Sequence, residues 1–152
     1  MNIRGGKISA AQLARYVIWY ANEKNIPITQ LKLQKLLYFI QVAYLRQAGD
    51  LLFDDPIEAW EYGPVVRSVY IDYCDNGSLP LHAESEDDGH IERYLNDGEI
   101  DVVQSVLNDK LNWRSARLVR QSHSERPWMQ HKEEVQNGKK PLITADELRT
   151  AF

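Results

Sequence analysis

Between Pro27 and Gly49 the apolar positions fall on two nearly opposite sides of one helix. Placed at about 100° per residue, Leu33, Leu36, Leu37, Ile40 and Tyr44 line one face, and Leu31, Tyr38, Val42 and Leu45 line the other. Between them run a glutamine stripe (Gln30, Gln34, Gln41) and a cationic stripe (Lys32, Lys35, Arg46) that also carries Phe39. A helix apolar on two sides is packed on two sides, so this segment is predicted to be the central helix of the core. Thr29 is its expected cap, and Gly49, after about Gln47, its expected stop.

The same pattern places further helices around it. Leu13, Val17 and Tyr20 form one stripe of a helix over about Ser9 to Glu23, where Ser9 and Gln12 stand at capping-box spacing. Pro27 ends it by pushing the preceding residue out of helical geometry. Ile57–Tyr62 reads as a short strand whose backbone needs a partner, expected near Leu79–His82. Gly63-Pro64 is expected to open a third helix, burying Val65, Val66, Val69, Tyr70 and Tyr73 and ending at Asn76-Gly77. A fourth helix covers roughly Asp97 to Leu111, with Ile100, Val103 and Leu107 inward. Ser115 is the expected cap of a fifth, Gly138 stops a sixth that begins near Pro127, and Thr144 with Glu147 signals a last helical turn. The expectation is therefore a mainly α, compact single helical domain over residues 1–152, with a small β element.

Composition narrows the class. One cysteine, Cys74, excludes an intrachain disulfide and suits a reducing compartment, taken to be the cytoplasm. The opening Met1–Lys7 carries no signal-peptide pattern, and no apolar run approaches the roughly 20 residues of a membrane span. A net charge of −4 argues against a nucleic-acid partner, which would need a basic face for phosphates. Arg114, Arg117, Arg120 and Arg126 form a local basic stripe, read as solvated or paired with the acidic loop Glu84–Gly89. No catalytic signature, zinc spacing or phosphate-cradling glycine loop is found, so no enzyme activity, cofactor or metal is expected. Cys74, late in a helix beside tyrosines, reads as a small buried apolar residue.

Three segments stand out, although each taken alone reads as architecture. Leu31–Tyr38 is an aliphatic helix core, Ala59-Trp60-Glu61-Tyr62-Gly63-Pro64-Val65 leads to Tyr70 through a tight Gly-Pro joint, and His123 precedes Pro127 and Trp128. In this order they resemble the Panacea domain family, also described as SocA-like, of antitoxins and phage-associated proteins. The match spans about residues 9–128 and leaves 129–152 as a C-terminal extension. The resemblance implies an antitoxin that neutralises a cognate protein toxin by direct contact. A phage or host adaptor that delivers a target to a protease or other machinery is the alternative. It also implies that Trp60, Gly63, Pro64, Tyr70, His123, Pro127 and Trp128 are scaffold, with Trp60 and Trp128 mostly buried. Partner contacts are expected on exposed residues: Tyr62 and Arg67 beside the Gly-Pro corner, and Lys32, Lys35 and Phe39 on the central helix.

Overall fold

The computed structural model describes residues 6–152, so the leader-free reading of the first residues lies partly outside what is described. The described chain runs α1 (Ala10–Glu23), α2 (Gln30–Ala48), β1 (Ile57–Trp60), β2 (Gly63–Val66), α3 (Arg67–Tyr73), α4 (Asp97–Lys110), α5 (Ser115–Ser124), α6 (Arg126–Met129), α7 (Lys132–Gln136), β3 (Leu142–Ile143) and α8 (Ala145–Leu148). Short 3-10 turns follow α3 and α8 and precede α4. The fold is mainly α with one small antiparallel sheet.

Local chemistry sets the helix starts. Ser9 Oγ accepts from the Gln12 amide while Gln12 Oε1 accepts from the Ser9 amide, closing the expected capping box of α1. Thr29 Oγ1 accepts from the Lys32 amide at the head of α2, and Gly49, at φ +76°, ends it. Thr144 and Glu147 close a second box at α8. A third, Asn96 with Glu99, starts α4. Arg114, without a side-chain cap, takes the position expected for Ser115, which becomes the first helical residue of α5. The predicted sixth helix divides into α6 and α7, with Gly138 at φ +84° beyond them.

α2 is the axis of the core. It packs against α1, α4, α5 and β2, and Leu33, Leu36, Leu37, Tyr38 and Ile40 are wholly buried. Burial goes beyond the two predicted faces, since Gln30, Lys32, Gln34, Lys35, Phe39 and Gln41 are also buried. The hairpin covers Gln34 and Lys35, and the chain around Leu52 and Phe53 covers Gln41, on a flank that the sequence pattern left to solvent.

That hairpin departs most from expectation. Gly63–Val66 is a strand and not the start of a helix; it pairs with β1 from Trp60↔Gly63 to Ile57↔Val66 across the two-residue turn Glu61-Tyr62. Adjacent valines favour extended backbone, and β2 is an edge strand, where Pro64 need not donate to a ladder. α3 consequently begins at Arg67. The other partner of β1 is β3, with Ile57 opposite Ile143, and not Leu79–His82. The Leu81 amide donates instead to Ile28 O at 2.7 Å. Cys74, expected to be buried, is exposed in the 3-10 turn after α3, because that short helix keeps only Val69 buried.

Candidate protein-binding site

The edge of β2 is closed by side chains of α2. Gln34 Oε1 accepts from the Val66 amide at 2.8 Å, and its Nε2 donates to Val66 O at 3.4 Å. Lys35 Nζ donates to Pro64 O at 2.9 Å. Two turns beyond Gln34, Gln41 accepts from the Leu52 amide and donates to Phe53 O, both at 2.7 Å. The glutamine stripe thus stands in for a neighbouring strand, satisfying backbone groups that burial would otherwise leave costly.

Lys35 is the correction with most chemical content. Sequence reading placed Lys32, Lys35 and Phe39 on an exposed stripe; all three are buried, Lys35 completely at 0% exposure. β2 lies over Lys35, and Phe39 packs edge-on to Tyr38 at 5.1 Å with the Lys110 ammonium 5.3 Å from its ring centre. These residues therefore do not form an open contact surface. Burial pushes the Lys35 ammonium down to about 7, and lowers Lys32 as well. No close carboxylate pairs with Lys35 among the described residues, leaving the Pro64 carbonyl as its hydrogen-bond acceptor.

Gly63 makes this approach possible. It sits at φ +110°, and a Cβ there would lie 2.7 Å from both Lys35 Cε and Ser122 Oγ. Gly63→Ala is expected to destabilise the domain by about 2–3 kcal/mol, combining left-handed strain with overpacking. Urea unfolding checks this, and Gly49→Ala serves as the comparison, because Gly49 has the same sign of φ and open space around it.

Beneath the turn, His123 stacks on Trp128 with ring centres 3.9 Å apart, and Trp128 Nε1 donates to Trp60 O at 2.8 Å. Burial lowers the His123 imidazole, opposed by its hydrogen bond with the Glu61 backbone. Pro127 and Trp128 are buried at the head of α6. The late motif is thus a buttress under the hairpin.

The outer side of the hairpin is different. Trp60 is half-buried, not mostly buried as expected, because strand alternation sends Ile57 and Ala59 inward and Glu58 and Trp60 outward. Its ring meets Tyr70 edge-on at 4.8 Å, with Arg67 5.4 Å and Lys140 4.3 Å from the ring centre. Glu58 fixes this group: its carboxylate accepts from Trp60 Nε1 at 2.8 Å and from Arg67 Nε and NH2 at 3.1 and 2.9 Å. Burial works to raise the Glu58 carboxyl, but the bonds from Arg67 and Trp60 outweigh it and leave it below the usual range. Tyr62, at the tip of the turn, is 61% exposed. Arg67, Tyr70 and Ile71 follow at i, i+3 and i+4 on the outward face of α3.

A groove of about 420 Å³ runs between α2, the hairpin and α3, lined by Leu31, Lys35, Trp60, Tyr62, Tyr70 and Lys140 among others. Of the residues singled out from sequence, Tyr62, Arg67, Trp60 and Tyr70 meet on its outer rim, and Gly63, Pro64, Lys35, His123, Pro127 and Trp128 meet beneath it. Sequence reading missed Glu58 as the clamp and Lys140 as a rim cation. Glu58 could have been found from strand alternation, which puts it beside Trp60. Lys140 carries no such signal, since only the β1–β3 pairing brings it to the hairpin. Among the described residues no group of three or more His, Cys, Asp or Glu could hold a metal ion. No helix among them is long and apolar enough to cross a membrane.

An exposed aromatic cluster thus sits on a buttressed, mainly helical scaffold. The chain belongs to the family described as antitoxin SocA-like, Panacea domain, whose pattern matches residues 33–129. That stretch begins inside α2, so α1, included in the resemblance read from sequence, lies outside it. Over 70 residues the chain is 39% identical to the antitoxin SocA of Caulobacter vibrioides (strain NA1000 / CB15N), covering 46% of this chain and 37% of that protein. The matched stretch is thus little more than a third of that relative's length. No solved structure matches.

Proposed function

We propose that this chain is an antitoxin that neutralises a cognate protein toxin by direct contact, without catalysis, through the outer face of the hairpin and α3. The observation that carries the reading is Tyr62, 61% exposed beside Trp60, Arg67 and Tyr70 on a two-residue turn. Tyr, Trp and Arg dominate interface energetics because they combine large contact area with polar handles. A short turn buttressed from below also loses little freedom on binding. Lys32, Lys35 and Phe39 are buried and offer no open contact surface, and Lys35 holds the hairpin through Pro64 O.

The test is co-expression with the protein encoded by the neighbouring gene, followed by pull-down and titration of the purified pair. Tyr62→Ala is expected to weaken binding about tenfold or more, in the range of an interface anchor, with an unchanged melting temperature. Arg67→Ala is the second variant, preferred to charge reversal because a glutamate there would face Glu58 and disturb Trp60. If both variants bind and rescue growth like the parent chain, the contact surface lies elsewhere.

A further inference from the structure

The two edges of the sheet are finished differently. In the order β2-β1-β3, the outward main-chain groups of β2, Pro64 O with the Val66 amide and carbonyl, are all taken by Lys35 and Gln34. At β3, Ile57 pairs with Ile143 and Glu58 with Leu142, and the Ala59 amide donates to Pro141 O at 2.8 Å. In an antiparallel ladder alternate residues bond to the neighbouring strand. Pro141 and Ile143 therefore face β1, and the amide and carbonyl of Leu142 turn away from it. The same register sets Lys140 opposite Trp60, in keeping with the 4.3 Å between its ammonium and that ring centre, so its main chain also turns outward. These four groups make no hydrogen bond among the described residues, and Lys140 and Leu142 are both exposed. Proline and lysine commonly blunt an open edge. Here Pro141 turns its donor-less nitrogen toward β1, and the Lys140 side chain reaches over Trp60, so neither obstructs the outer side.

We propose that the outer edge of β3 accepts an extended segment of the toxin, which joins the sheet as a further strand through the main-chain groups of Lys140 and Leu142. Donors and acceptors that alternate along a strand edge are matched only by extended backbone, so the edge itself fixes the conformation of its occupant. Leu142, 56% exposed on the same face as Glu58 and Trp60, calls for an apolar side chain beside it on the added strand. That strand widens the outer face carrying Trp60, Tyr62 and Tyr70, so one partner covers both. A second copy of this chain is the poorer occupant, because its β3 brings Lys139 and Lys140 to an edge that already holds the same two lysines. The proposal rests on the reading of this face as the toxin-contact surface, and it adds the form of what the toxin supplies: a short extended stretch with an apolar residue next to Leu142.

The first experiment needs no toxin. The peptide acetyl-Thr-Val-Thr-Val-Thr-amide is titrated into the isotope-labelled full chain while backbone amide signals and their hydrogen exchange are followed by NMR. It is expected to shift the Lys140 and Leu142 amides and slow their exchange. Two N-methylated versions of the peptide, one blocked at the valines and one at the inner threonines, separate pairing from adhesion, since alternate amides of an added strand face β3 and solvent. One version is expected to lose about tenfold or more in affinity and the other to bind like the parent peptide. Leu142→Pro, which removes an outward donor that the fold does not use, is expected to weaken the peptide about tenfold with an unchanged melting temperature, and Leu142→Val to bind normally. No shift at millimolar peptide, equal binding of both methylated versions, or protection of these amides that grows with protein concentration alone overturns the proposal. With the purified toxin, Leu142→Pro is likewise expected to weaken binding. Toxin binding that Tyr62→Ala weakens and Leu142→Pro leaves untouched would sink the added strand and keep the contact face standing.

Discussion

Trp128→Ala is expected to lower stability by about 3–5 kcal/mol, the range for removing a large aromatic from a packed interior. The ring is buried, stacks on His123 and donates to Trp60 O at 2.8 Å. Truncation therefore opens a cavity, removes a hydrogen bond to the main-chain carbonyl at the end of β1 and leaves His123 without a surface to lie on. For a chain of this size the melting temperature should fall by about 10 °C or more. Thermal unfolding followed by far-UV circular dichroism checks it, and Trp128→Phe separates the contributions by keeping most of the packing and losing the hydrogen bond, at a cost nearer 1 kcal/mol. Trp60→Ala should cost less than Trp128→Ala, because half of the Trp60 ring faces outward. Melting of Trp128→Ala within a few degrees of the parent chain would mean that the hairpin does not depend on its buttress.

A second large effect concerns pH. The Lys35 ammonium titrates at about 7 in the folded chain and near its ordinary 10.5 when unfolded. Between those values the unfolded chain holds a proton that the folded chain lacks, so stability rises with pH. Below about 7 both states are protonated and the cost of the buried charge is fully present. Each unit of difference is worth about 1.4 kcal/mol, so from pH 7 to pH 9 the gain should be on the order of 2–3 kcal/mol. Lys32, also lowered by burial, acts with the same sign, whereas Tyr16, Tyr38, Tyr44 and Tyr73, raised by burial, oppose it where free tyrosine ionises, near pH 10. The measurement is urea unfolding at pH 6, 7.5 and 9 for the parent chain and Lys35→Met. The variant loses a bond to Pro64, so its absolute stability at pH 9 should be lower, but its pH slope should be much flatter. Parallel slopes would show that Lys35 is not a lone buried charge.

Elements that one short stretch of residues determines are legible in the sequence. Ser9 with Gln12, Thr29, Gly49 and Thr144 with Glu147 mark helix ends through contacts three or four residues away, and each makes the expected contact. The central position of α2 follows from its two apolar faces. What sequence reading misplaces depends on partners far along the chain. Gly-Pro before two valines suits both a helix start and an edge strand, and pairing with β1 decides between them. Lys35 looks like a surface residue in any helical projection, and only the arrival of Pro64 overhead turns it into a buried donor. Cys74 reads as buried only if its helix starts earlier and runs deeper than α3 does. At the proposed contact face Tyr62 and Arg67 can be picked out by residue type and position, while Lys140 reaches Trp60 only through the β1–β3 pairing.

A partner strand has no free row of main-chain groups to join at β2, since Gln34 and Lys35 already hold the Val66 amide and the Val66 and Pro64 carbonyls. Recognition at this edge must then be written in side chains, which are individually exchangeable, and not in backbone geometry, which is common to all sequences. Tyr62 and Ile71 project exposed side chains from the scaffold, so altering them leaves the bonds that hold the hairpin intact. Such a surface is evolvable: on the proposed function, selection for a cognate toxin should collect substitutions at these outward positions and leave Gln34, Lys35 and Gly63 untouched. The same closure guards against self-association, because an edge that cannot accept a toxin strand cannot accept a strand from a second copy.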